Sequence, residues 1–283
     1  MEILGFSPVH QLGCPFVSRL RGRGSSEEHF RLAVISNPRS GNMWLRRLLV
    51  AMYEAEERSA HSPAEVDWEQ LPRRCVLQIH WPDDRAFRGQ LRSFGFRAVV
   101  LVRHPFDVLL SILQFAPHEP ATARWLAGKH GDERSLLEAS PVSESFATYA
   151  SSARAQALLG VSARWWRRAA FACRYEDLVA DTEAELARLE RTLRSPARLS
   201  AAEAAAATRF ADLASEATNR HFWQGRPGHW RELLPPSVVS HITPAHSKLL
   251  TRFGYDASPD PGLTEDEALA RWLERTAGVP APA

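Results

Sequence analysis

Three cysteines, Cys14, Cys75 and Cys173, are too few, too scattered and odd in number for a disulfide framework. No pair has the CxxC spacing of a zinc knuckle, so they are expected as buried thiols of a reducing compartment, the cytoplasm. No stretch approaches the roughly 18 consecutive apolar residues of a membrane span, and the opening MEILGFSPVHQLG lacks the basic-then-apolar order of a signal peptide. Charge of one sign is not in excess either: 35 Lys plus Arg stand against 33 Asp plus Glu, a formal +2. That balance excludes a nucleic-acid binder of the usual basic kind and makes any anion site local. There is no internal repeat and no low-complexity tract. The HExxH metal motif is missing, so no metal is expected, and so is GxxxxGK[ST], which argues against an ordinary P-loop ATPase or kinase.

The chain does have strand-length apolar runs, at residues 32–36, 76–79, 98–102 and 169–173, alternating with segments of helical period. Runs that are continuously apolar imply strands covered on both faces, hence a central parallel sheet flanked by helices in one α/β domain. Trp44, Leu45, Leu48, Leu49 and Met52 follow the first run at helical spacing, and capping boxes are expected at Thr182 with Glu185, Ser200 with Glu203 and Thr264 with Glu267. The second half is thus helix-rich. We expect a lead-in at 1–29, one domain at 30–256, and a tail at 257–283 whose helix docks through Leu269, Trp272 and Leu273.

The most informative segment is Asn37-Pro38-Arg39-Ser40-Gly41-Asn42-Met43-Trp44, a turn between strand and helix. Amides of a first helical turn lack intrahelical acceptors, and the helix dipole adds about half a positive charge there, so an anion completes both. Gly41 allows the backbone to approach such a ligand closely. On these residues alone, a plain turn with a solvated arginine is the competing reading. A second anion site is expected where the run at 98–102 ends at Arg103, because Ser111, eight residues on and past Pro105, can face the same anion. Singly, Arg103 would read as a surface charge and Ser111 as a helix polar residue. His80 lies just past the run at 76–79, at the sheet edge where α/β sites gather, and its ordinary pKa suits proton transfer near neutrality.

Together and in this order, the segments resemble the PAPS-dependent sulfotransferases, of cytosolic and bacterial type, whose donor is 3′-phosphoadenosine 5′-phosphosulfate (PAPS). The loop at 37–44 is similar to PKSGTTW, with Arg39 in place of lysine. The resemblance implies that Arg39, Ser40, Gly41, Asn42, Met43 and Trp44 hold the 5′-phosphosulfate and that Arg39 stabilises the leaving phosphate. It implies that Arg103 and Ser111 bind the 3′-phosphate. Val76-Leu77-Gln78-Ile79-His80-Trp81-Pro82 resembles KTHLP, which makes His80 the general base, with Asp83 as fallback and Gln78 where lysine is usual. Tyr175, in Arg174-Tyr175-Glu176-Asp177-Leu178, would contact the adenine. The stretch from Trp223 to Trp230 resembles RKGxxGDW, with Gly225 and Arg226 toward the nucleotide, but Trp223 and Gln224 replace its cations and His229 its aspartate. A plain Gly/Pro turn anchored by Trp230 fits these residues equally well. The implied cofactors are PAPS and its product adenosine 3′,5′-bisphosphate (PAP), without metal; a homodimer is compatible. An NTP-dependent P-loop enzyme and a nucleotide-binding protein without transfer activity stand as alternatives.

Overall fold

Five strands line up in the order β2-β3-β1-β4-β5, all parallel, in a computed structural model that describes residues 29–128, 134–209, 212, 223 and 225–276. The expected lead-in (apart from His29), Cys14, Gln224 and residues 277–283 lie outside the described residues. The strands are β1 (Phe30–Ser36), β2 (Glu56–Ala60), β3 (Arg74–Ile79), β4 (Phe96–Val102) and β5 (Phe171–Arg174). Helices α1 (Asn42–Tyr53), α2 (Arg85–Ser93), α3 (Pro105–Phe115), α4 (Pro120–Ala127), α5 (Arg134–Leu137), α6 (Glu144–Ser151) and α7 (Ala153–Trp165) fill the first half and the middle. They are followed by α8 (Tyr175–Ala180), α9 (Thr182–Leu193), α10 (Ala201–Ala207), α11 (Pro236–Phe253) and α12 (Glu265–Thr276). The chain is therefore an α/β domain with a central parallel sheet and a helix-rich second half.

Strand alternation separates two apolar layers. Leu32, Val34, Val76, Val99 and Leu101 point to one face, where α1 and α9 supply Leu45, Leu48, Leu49, Leu186 and Leu189. Ala33, Ile35, Leu77, Ile79, Ala98 and Val100 point to the other, against Phe87 and Leu91 of α2 and Trp165 of α7. A third cluster is built mainly by helices around α3, all of whose residues are buried. Burial on both faces is what makes the three inner strands, β3, β1 and β4, read as apolar runs, whereas β5, at one edge, buries only Phe171 and Cys173.

Strand β2 escapes that pattern. Its sequence, EERSA, is polar: it forms one edge of the sheet, pairs only with β3 and buries only Ala60. Glu57 on it forms ion pairs with Arg46 at 2.5 Å and Arg47 at 3.1 Å, tying the strand to α1. Two further expectations are corrected. Asp181, not Thr182, caps α9, accepting from the Ala184 amide at 2.9 Å, while the Thr182 hydroxyl turns back to the Leu178 carbonyl. On α12 the docking residues are Ala268 and Trp272, one helical turn apart; Leu273, a further 100° round, is 57% exposed. The boxes at Ser200 and Thr264 form as expected.

Candidate nucleotide site at the carboxyl edge of the sheet

From the centre of the sheet the chain leaves β1 toward β2 and β3, whereas β4 leads outward to β5. Connections that diverge in this way open a crevice beyond the carboxyl ends of the strands. The loop at 37–41 follows β1, His80 follows β3, Arg103 follows β4 and Tyr175 follows β5. Residues 136 positions apart thereby meet at one edge.

The loop is fixed from below. Buried Asn37 donates its amide to Ser162 Oγ at 2.9 Å and accepts the Ser162 amide on Oδ1 at 3.0 Å, while the Ser162 hydroxyl donates to the Leu101 carbonyl at 2.6 Å. One serine of α7 thus ties the loop to β4. The Ser40 hydroxyl donates back to the Asn37 carbonyl at 2.7 Å. Arg39 and Gly41 adopt left-handed backbones, φ 63° and 91°, before α1 begins. No acidic side chain occupies the first turn of α1, so its amide end keeps its positive potential. Met43 is half-buried and Trp44 buried, its indole donating to the Thr208 carbonyl at 3.0 Å.

Gly41 has a second reason to be glycine. An added Cβ would lie 2.4 Å from the Tyr175 ring. That ring sits on the loop, its hydroxyl donates to the Gly225 carbonyl at 2.5 Å, and the Arg103 guanidinium lies 4.5 Å from its centroid. Tyr175 therefore joins three of the sequence-predicted segments. Arg103 also donates to the Arg39 carbonyl at 3.4 Å, but its Nε, buried, has no hydrogen-bond partner among the described residues. A buried donor without an acceptor suits an anionic ligand.

Arg39 reaches along α3. Its Nε donates to Ser111 Oγ at 3.2 Å and its guanidinium lies 4.2 Å from the Phe115 centroid. Burial first, then the charge of Arg103, lowers its pKa from 12.5 to about 9, so it stays cationic at neutral pH. Arg39 from the first expected anion site thus touches both Arg103 and Ser111 of the second.

His80 stands on the β3 side. Its Nδ1 donates to the Ser36 carbonyl at 2.9 Å and Nε2 faces Asn42 Nδ2 at 3.2 Å, so the amide is the donor and Nε2 carries the lone pair. Burial lowers its pKa to about 4; the Ser36 bond opposes this, while His61, Arg46 and Arg39 add to it. Trp125 flanks the ring, 6.3 Å between centroids. The fallback Asp83 is otherwise engaged, accepting from Arg88 at 2.5 Å and Arg168 at 2.6 Å. Gln78 leaves its buried Oε1 without a partner among the described residues.

The late loop is held by a residue the sequence reading missed. Asp107, 2% exposed in the first turn of α3, accepts the Gly228 amide at 2.7 Å and the Trp230 amide at 3.0 Å. An acidic residue in a first turn reads locally as a partner for the helix dipole, and nothing nearby in sequence signals its distant amides. Glu176, in the first turn of α8, also accepts the His104 amide and the Tyr255 hydroxyl, each at 2.9 Å. Arg226 borders a small cavity with Arg103, Leu110, Gly225 and His229, and its guanidinium is paired with Glu232 at 2.5 Å.

No protein-family model and no curated protein matches the sequence. Solved structures do match in shape. A mouse sulfotransferase, SULT7A1, complexed with PAP aligns at TM-score 0.56 and 16% identity over 80% of this chain and 86% of that one. Retinol dehydratase in complex with androsterone and inactive cofactor PAP aligns at 0.51 and 14% over 83% and 84%. The class these define for the chain is a fold, the α/β fold of those two proteins.

Proposed function

We propose that the protein is a PAPS-dependent sulfotransferase that transfers a sulfuryl group to a hydroxyl, less favourably an amine, of a small-molecule, lipid or glycan acceptor. The observation that carries this reading is the convergence of Arg39, Gly41, Arg103, Ser111 and Tyr175 at one sheet edge, on the fold of two proteins solved with PAP. The amide end of α1 receives the 5′ end of the donor. Arg103, with an unsatisfied Nε and a ring beneath it, and Ser111 take the 3′-phosphate, which distinguishes PAP from other adenine nucleotides. Arg39 stays charged and stabilises negative charge on the leaving phosphate rather than donating a proton. His80, neutral with its lone pair on Nε2, accepts the acceptor's proton as the new bond to sulfur forms. Asn42 must release that lone pair when an acceptor arrives. The buried thiols of Cys75 and Cys173, both raised in pKa by burial, agree with a reducing, cytoplasmic setting.

Calorimetric titration with PAP and with ATP tests the reading. Wild-type protein should prefer PAP, and Arg103→Ala should weaken PAP by at least about tenfold, the worth of a charge-assisted contact, with its melting temperature little changed. Equal affinity for the two nucleotides would sink the proposal. PAP binding without turnover on phenolic, lipid and glycan acceptors would favour a nucleotide-binding protein that has lost transfer.

A further inference from the structure

The late loop lacks the two cations of the motif it resembles, yet two guanidiniums meet on it. Arg226 lies on the loop and Arg275 on α12, and both pair with Glu232. Between them stands His229, 3% exposed, with Arg226 Nη2 at 3.1 Å from Nδ1 and Arg275 Nη1 at 3.0 Å from Nε2. A neutral imidazole accepts at one nitrogen and carries a proton on the other. One of the two guanidiniums therefore faces an N–H, and the cluster holds more donors than acceptors. The nearby Asp107 carboxylate is already used by the Gly228 and Trp230 amides. Arg226 and His229 border the same cavity as Arg103, so the surplus donors lie where an anion's oxygens would complete them.

We infer that the C-terminal helix belongs to the nucleotide site: Arg275 is a positioning residue that, through His229 and Glu232, holds the Arg226 guanidinium and the neutral His229 imidazole as the wall receiving the 3′-phosphate. The inference rests on the proposed function and locates the charge that the late loop lost in a segment 45 residues further along the chain. Arg275 supplies two contacts from one planar fork, which lysine cannot reproduce.

The test measures dissociation constants for PAP and for adenosine 5′-phosphate, which lacks the 3′ group, in wild type, Arg275→Gln, Arg275→Lys and Arg191→Gln. The last removes an equal charge from exposed α9, away from the cluster. Arg275→Gln should weaken PAP by about tenfold and leave adenosine 5′-phosphate unchanged; Arg275→Lys should lose less and Arg191→Gln nothing. A loss shared equally by both nucleotides, as mere undocking of α12 would give, overturns the inference, as does an unchanged ratio. Wild-type protein that binds neither nucleotide removes the proposed function and this inference with it.

Discussion

At the scale of single residues, the site depends on close approach. Gly41 combines a left-handed backbone with a Tyr175 ring where its Cβ would lie. Gly41→Ala should therefore lower stability by about 1 to 3 kcal/mol, read in urea unfolding, and weaken PAP binding as the ring is displaced. His80→Ala should abolish sulfuryl transfer while sparing PAP affinity, because the ring contacts the Ser36 carbonyl and Asn42 rather than the arginine cluster; near-normal turnover would remove it as the base. Arg103, Ser111, Gly41 and Tyr175 were legible because each sits at a strand end or a fixed short distance beyond one. That Arg39 would turn to Ser111 was not. A side chain's direction depends on its backbone φ and on Phe115, which arrives from a distant segment.

At the scale of elements, β1, β3 and β4 could be read because burial on both faces leaves a continuous apolar signature, and edge strand β5 because Phe171 and Cys173 face the core, whereas edge strand β2 is written in charges. Helix α12 shows the same limit. Its apolar residues suggested three anchors, but helical geometry lets Ala268 and Trp272 face the core together while Leu273 faces water. Trp272→Ala should cost about 3 to 5 kcal/mol in chemical denaturation, and Leu273→Ala no more than about 0.5 kcal/mol; comparable losses would mean that the helix docks by another face. Asp107 was illegible for a related reason. Its partners lie 121 and 123 residues away, on a loop whose sequence carries only a turn signal.

For the whole molecule, buried imidazoles set the acid limit. His80, His104 and His229 are each lowered to about 4, burial being the first cause in every case, and His246 is lowered as well. In the unfolded chain these groups titrate near 6.5. The unfolded state therefore takes up protons that the native state refuses as pH falls from 6.5 toward 4, and stability present above 6.5 is lost across that window. Thermal melts should show Tm constant from pH 8 to 7 and falling by several degrees at pH 5. A flat profile would mean that the imidazoles are not held neutral. Replacing His104 by Gln should flatten part of the slope, since its ring is packed against Trp230 and Tyr255.

Asp107 reaches forward for amides that follow it by more than a hundred residues, and Arg275 reaches back from near the end of the chain. On a translating ribosome the strands and the loop at 37–41 emerge long before either tie has its counterpart. A nascent polypeptide can thus assemble the sheet while the wall over Arg103 is still unmade. Halting translation just before the Arg275 codon should yield chains that are structured yet hold PAP about tenfold more weakly.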